Sequence, residues 1–163
     1  MIRVLSLSIL GLFLTHQISA QTHDEAEIRK VIEQIFTGME KSDSAMVRNA
    51  FTKEITMATV AKNKNNEPAL HRESSLDGFL TAVASPKQQP WHEEFWNLNI
   101  RIDGDLASAW CDYAFYLGKT FSHCGVDAFQ LFRTPDGWKI FHLADTRRKE
   151  PCDIPADIKA KYQ

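Results

Sequence analysis

Over residues 24–40 the apolar side chains Ile28, Val31, Ile32, Ile35, Phe36 and Met39 recur three and four positions apart. That spacing gathers them on one stripe of a helix and leaves the charged residues on the opposite side. Ser42-Asp43-Ser44 offers helix N-caps, and a short second helix over 45–51 follows. Residues 55–61 read as a strand, 62–67 as its polar turn, and 69–72 as a weak returning strand. Ser74 or Ser75 caps a third helix that runs to Ala84, closed by Pro86 and Pro90.

From Trp91 onward the period changes to two. Glu94, Trp96, Leu98, Ile100 and Ile102 alternate with mostly polar residues up to an Asp103-Gly104 hairpin turn. Strands over 106–117, 123–133 and 138–147 continue the meander, with Pro135-Asp136-Gly137 turning the chain between the last two. Helices first and a meander afterwards predict an α+β domain, with N-terminal helices packed on one face of a curved, mostly antiparallel sheet.

The strand 123–133 opens "HCGVDAF", with His123, Gly125 and Asp127 at alternate positions where a plain core strand would carry Val or Leu. A three-residue loop at Pro135-Asp136-Gly137 pairs Thr134 with Trp138. Leu131 then faces Phe141, Phe129 faces Leu143, Asp127 faces Asp145 and Gly125 faces Arg147, with His123 on the same side by alternation. A two-residue turn at Gly118-Lys119 pairs Leu117 with Thr120, which sets Asp112 opposite Gly125 and Trp110 opposite Asp127. Six side chains thus converge around Gly125, which leaves space for a ligand or a neighbour's side chain.

The candidate catalytic residues are His123, Asp127 and Asp145, and the candidate ligand-binding residues are Trp110, Asp112 and Arg147. Opposed carboxylates repel, and burial raises one of their pKa values unless Arg147 or His123 supplies compensating charge. A raised carboxyl donates a proton, a His–Asp pair accepts one, and an arginine holds an anionic group. The alternative is a structural Asp–Arg–His network that closes the open end of the fold. The other sheet face should carry Ala109, Cys111, Tyr113, Phe115, Cys124, Val126, Ala128, Phe132, Ile140 and Ala144, too apolar to face water. It predicts a homodimer through that face, with Gln130 and His142 as interface polar groups.

The first residues change the compartment. Arg3, the apolar run from Val4 to Leu14 and Ile18-Ser19-Ala20 read as a secretory signal peptide over residues 1–20. A mature chain starting near Gln21 would be periplasmic or secreted. Its single domain spans 21–150, and a loosely attached surface tail spans 151–163. Losing Arg3 moves the formal charge from −2 to −3, and no basic stripe exists, which argues against nucleic acid as a partner. No further apolar run suits a membrane span. Cys111, Cys124 and Cys152 are odd in number, and the favoured reading is two buried strand cysteines and one in the tail, without a disulfide. "HEEF" at 92–95 lacks the second histidine of a zinc-protease motif, His71, His92 and His123 have no ligand spacing, and no phosphate-cradling loop appears. Neither metal nor cofactor is expected.

The order of elements, "HCGVDAF" at 123–129, "GWKI" at 137–140 and "ADTRR" at 144–148 together resemble the nuclear transport factor 2-like superfamily. Ketosteroid isomerase, scytalone dehydratase and SnoaL-type cyclases share that cone-shaped fold, and the chain resembles small secreted members labelled SnoaL-like or putative lumazine-binding. The resemblance implies a pocket between helices and concave sheet, and often a dimer through the sheet's other side. In the isomerases a tyrosine and a protonated aspartate hold the oxyanion while a second aspartate moves the proton. Residues 24–40 contain no tyrosine and 55–60 no carboxylate, so those roles do not carry over, and no residue specifies a pterin. The expectation is an exported protein that binds a small organic ligand, with acid–base chemistry of isomerase, dehydratase or cyclase type. Its alternative is a non-catalytic ligand-binding or dimerisation module.

Overall fold

The computed structural model describes the backbone from Ser8 to Gln163 and the side chains from Thr22 onward. Of the expected leader at 1–20, residues 1–7 lie outside the described residues and 8–20 are described only as helical backbone. Helix α1 (Ser8–Glu40) is followed by α2 (Ser44–Asn49), β1 (Phe51–Lys62), β2 (Pro68–Glu73) and α3 (Asp77–Ala84). Strands β3 (Trp91–Asp103), β4 (Leu106–Leu117), β5 (Thr120–Thr134) and β6 (Gly137–Thr146) form the meander, and α4 (Ala156–Lys161) ends the chain. The six strands lie in the order β2-β1-β6-β5-β4-β3, all antiparallel except the β1–β6 pair.

The predicted stripe of α1 is the heart of the core, for Ile28, Ile32 and Ile35 are at most 1% exposed and Phe36 and Met39 are buried beside them. They pack with Val47 of α2, Leu76 and Val83 around α3, and Ala109, Phe129, Leu131, Trp138 and Ile140 from the sheet. Asp43 caps α2 by accepting from Met46 N at 2.9 Å, as short polar side chains at that position do. At the far end Arg133 ties α1 to the sheet through Asp24 (2.5 Å) while lying over the Trp138 ring, 4.6 Å from its centroid.

Three β-bulges decide which residues face the helices. In β3 an extra residue lies between Trp96 and Asn99, with Asn97 at φ 53°. In β5 Ser122 is unpaired between Phe121 and His123, and in β6 Phe141 is unpaired between Ile140 and His142. A single extra residue exchanges the inward and outward sets of a strand.

The last hairpin therefore corrects the expected turn and keeps the expected site. Pro135-Asp136 is a two-residue loop that pairs Thr134 with Gly137 and Leu131 with Ile140. Phe141 then shifts the ladder by one, so Phe129 pairs Leu143 and Asp127 pairs Asp145. The β4–β5 register goes the other way. Leu117 pairs Thr120, but beyond Ser122 the partners become Tyr113–Gly125, Cys111–Asp127 and Trp110–Ala128. Trp110 and Asp112 are thereby turned to the outer face, where Trp110 is 55% exposed and Asp112 accepts from Asn97 Nδ2 at 2.8 Å.

These register changes overturn half of the expected apolar outer face. Ala109, Cys111, Tyr113 and Ile140 are buried on the inner side, and Phe115 packs there too. Phe132 stands exposed on the outer side as expected, joined there by Leu106 and Trp110. The cysteine reading is corrected as well: Cys124 is bonded to Cys152, and Cys111 is a buried free thiol. Nor is the tail loose. Ile158 of α4 is buried, Tyr162 stacks on Tyr116 at 3.9 Å, and Tyr162 Oη and Lys161 Nζ each donate to Glu94 at 2.8 Å.

Gly125 sits where β5 and β6 press together, and the space foreseen for a ligand is filled. A Cβ there would lie 1.7 Å from the Thr146 carbonyl oxygen and 2.6 Å from the Tyr113 ring. Because the obstacle is backbone, Gly125→Ala is expected to cost about 1–3 kcal/mol by overpacking. Urea denaturation measures it, and unchanged stability would mean that the strands do not close as described.

Candidate functional site

A cavity of about 320 Å³ lies between the helices and the concave sheet. Its apolar walls are Ile35, Phe36 and Met39 of α1, Phe79 and Ala82 of α3, Met57 of β1, Trp91 of β3, Phe115 of β4 and Leu143 of β6. Trp91 and Phe115 meet edge to face, with centroids 5.8 Å apart. Six polar residues share this lining: Glu93, Tyr113, His123, Asp127, Asp145 and Arg147.

Of the residues expected from sequence, four line the cavity and two do not. His123, Asp127, Asp145 and Arg147 are brought together, whereas Trp110 and Asp112 lie across the sheet. Tyr113 and Glu93 are the residues that sequence reasoning missed. Tyr113 enters because Ser122 shifts the β4–β5 register. Glu93 enters because the β3 bulge puts Trp91, Glu93 and Phe95 on the same side as Leu98, Ile100 and Ile102. The available signal was Asn97, since asparagine is among the few non-glycine residues that accept a left-handed backbone.

Three separate arrangements hold these polar groups. Asp145 is the most constrained: Oδ1 accepts from Thr59 Oγ1 at 2.5 Å, and Oδ2 accepts from Arg147 Nε at 2.7 Å. Tyr113 Oη lies 3.3 Å from the same Oδ2 while donating to the Thr146 carbonyl at 2.9 Å. With its acceptor sites engaged, Asp145 is suited to orienting Arg147 and poorly suited to carrying a proton. His123 is joined to Ser122, with Nδ1 3.0 Å from Oγ, and packs against the Phe115 and Tyr113 rings at 5.1 and 5.7 Å. No hydrogen bond links it to either aspartate among the described residues. Burial, the Arg147 charge and Lys149 push its pKa down to about 4 against the pull of Asp145, so the imidazole is neutral at physiological pH.

Asp127 and Glu93 form the third arrangement. Asp127 is 4% exposed, and its Oδ2 is buried without a partner. The Glu93 carboxyl stands near it on the same wall of the cavity. Burial raises the pKa of both groups, and the nearby Asp145 charge raises each further. Asp127 is held well above the carboxylate range and Glu93 is pushed up to about 8. The pair is thereby biased toward its protonated form, which suits its apolar surroundings. Chemically it can donate a proton to a ligand oxygen or nitrogen and take one back, while Arg147 at the mouth, its side chain 53% exposed, can meet a polar end.

A family described as "Putative lumazine-binding" matches residues 23–142. No curated protein matches the sequence significantly. Among solved structures, an NTF2-like protein with a cystatin-like fold from Novosphingobium aromaticivorans superposes with a TM-score of 0.67 at 16% identity, over 97% of each chain. An NTF2-like protein of unknown function from Shewanella baltica gives 0.59 at 20% identity, over 79% of this chain and 97% of its own. A structure described as a putative dehydratase of the NTF2-like family from Streptomyces avermitilis gives 0.62 at 15% identity, over 78% of this chain and 97% of its own. At these identities the likeness is one of fold.

The carboxyl pair and His123 have opposite effects on stability. A carboxyl whose pKa is raised binds its proton more tightly in the folded chain, so its stabilisation is present at low pH and is lost as pH rises through the folded value. For His123, with a lowered pKa, stability rises instead from about pH 4 toward the unfolded value near 6.5. Above that, among the described residues, the carboxyl pair governs the trend. Stability is expected to decline from pH 6.5 to about 8, where Glu93 titrates, and Glu93→Gln should flatten the decline. Denaturation across this range checks it, and an equal slope in both chains would contradict the burial of that carboxyl.

Proposed function

Because the chain belongs to the putative lumazine-binding family of the nuclear transport factor 2-like superfamily, we propose that it is an exported protein whose cavity binds a small organic molecule and exchanges protons with it. The observation that carries this reading is the Asp127 carboxyl, buried with Oδ2 unpartnered and set near the half-buried Glu93 on the polar wall of the cavity. Burying two carboxyls costs stability unless something is gained from them, and ionisable groups so perturbed concentrate at functional sites. Asp127 and Glu93 act as the acid–base couple, His123 is a neutral base on the same wall, and the Asp145–Arg147 pair orients the ligand's polar end. The reaction class is proton transfer at a carbon next to a carbonyl, as in isomerisation or dehydration.

Export is supported by the leader-like residues 1–20 and by the Cys124–Cys152 disulfide, a bond favoured in oxidising compartments. A homodimer through the outer sheet face is supported by Leu106, Trp110 and Phe132, which expose 53%, 55% and 41% of their surfaces. Sedimentation should give a dimer for the native chain and a monomer for Trp110→Glu. A native chain that stays monomeric at high concentration would refute the interface.

Proton transfer is tested with a panel of small aromatic ketones in deuterated buffer, following loss of the α-proton signal by NMR. The native chain should accelerate exchange for at least one member, and Asp127→Asn or Glu93→Gln should slow it by roughly 10²–10⁴-fold, the usual worth of a positioned acid or base. Ketones that bind without any acceleration would leave the protein as a ligand carrier and remove the catalytic role.

A further inference from the structure

Cys124 follows the cavity residue His123 on β5 and points to the opposite face, where Cys152 is bonded to it. Its backbone also exchanges two hydrogen bonds of 3.0 Å with Arg148, the residue after the cavity's Arg147. One cysteine therefore anchors both chain segments that carry the mouth of the cavity. Beyond Cys152 the chain crosses to α4 and ends with Tyr162 clamped against Tyr116 and Glu94. The C-terminal segment is a strap, fastened covalently at one end and by a stacked ring at the other.

The covalent fastening is approachable from its Cys152 side, which is half-buried, while Cys124 is buried. A hollow of about 130 Å³ reaches both Cys124 and Cys152 and is lined on its other sides by Trp96, Asn97, Asp112 and Arg148. Arg148 lines the same hollow, as do the Asp112 and Asp153 carboxylates. Cys111 is buried on the inner side of the sheet and does not line this hollow.

We propose that Cys124–Cys152 is a thiol-exchangeable latch, opened by an external dithiol that enters this hollow, and that opening it loosens both the strap and the cavity mouth. The dithiol's thiolate attacks the Cys152 sulfur, forming a mixed disulfide and expelling Cys124 as a thiolate. Its second thiol then resolves the mixed disulfide and frees Cys152. The protein gains two electrons and, on protonation of the thiolates, two protons, and the dithiol departs as its own disulfide. This holds whichever molecule the cavity takes and does not rest on proton transfer within it.

The test uses the full chain with dithiothreitol as the dithiol. After brief reduction and alkylation under native conditions, peptide masses should show Cys124 and Cys152 modified and Cys111 untouched. In the reduced chain, amide exchange over residues 152–162 should quicken by roughly tenfold or more, as expected for a segment released to open locally. The His123 proton resonance, which reports on the neighbouring Arg147, Lys149, Asp145, Asp127, Glu93 and Tyr113, should titrate near 4 while the bond is intact. On reduction it should move toward the 6.5 of a free imidazole. Alkylation of the pair only together with Cys111 would mean that the bond opens through global unfolding, and that overturns the latch. So would an unmoved His123 midpoint in a reduced, folded chain. Should dithiothreitol unfold the protein, Cys152→Ser is titrated instead, and failure of that variant to fold overturns the latch as well.

Discussion

Neighbouring side chains on a strand point to opposite faces, so one inserted residue exchanges everything beyond it. The extra residue at Asn97-Leu98, Ser122 and Phe141 are such insertions, and the cavity's contents depend on all of them. Without the first, Glu93 would face away from the helices. Without the second, Tyr113 would yield its place to Asp112. Without the third, Asp145 would lose Asp127 as its cross-strand partner. Bulges concentrate beside functional sites because they re-aim side chains without ending the strand, and here they assemble the polar wall.

That wall combines groups of different character. Asp145 is tied to Thr59 of β1 and to Arg147, with Tyr113 close by, an arrangement that keeps a carboxylate fixed and its guanidinium oriented. For Asp127 and Glu93, burial first and then the nearby Asp145 charge favour the protonated form against the pull of Arg147. A fixed ion pair thus stands beside two carboxyls biased toward protonation. The His123 imidazole, kept neutral by burial and by Arg147, adds an acceptor without adding charge.

The outer face of the sheet is divided. Toward the Gly118 turn it is covered by the chain's own C-terminal strap, with Tyr116 buried beneath Tyr162 and Cys124 joined to Cys152. Toward the other end Leu106, Trp110 and Phe132 remain uncovered. The strap reaches the residues flanking His123 and Arg147 from behind, so the two faces are mechanically connected through β5 and the end of β6.

Much of the fold was legible in the sequence because it depends on local periodicity. The stripe from Ile28 to Met39, the order of helices and strands, the turn at Gly118-Lys119 and the meeting of Asp127 with Asp145 all follow from spacing and turn chemistry, while the turn expected at Asp103-Gly104 lies one residue on, at Gly104-Asp105. That last pairing was reached through a compensation: the true loop is one residue shorter than supposed, and Phe141 restores the difference. What sequence could not supply was the parity of β3 and β4, because a bulge is chosen by packing across strands and leaves only a faint mark such as Asn97. The disulfide and the Tyr162 clamp were hidden for a related reason. Both join residues far apart in the chain, and only the folded backbone brings Cys152 to Cys124 and Tyr162 to Glu94. The sequence by itself determined which elements form and which polar residues enter the sheet; tertiary packing decided which of those residues face the cavity, since a shift of one position costs little locally and reverses a whole face.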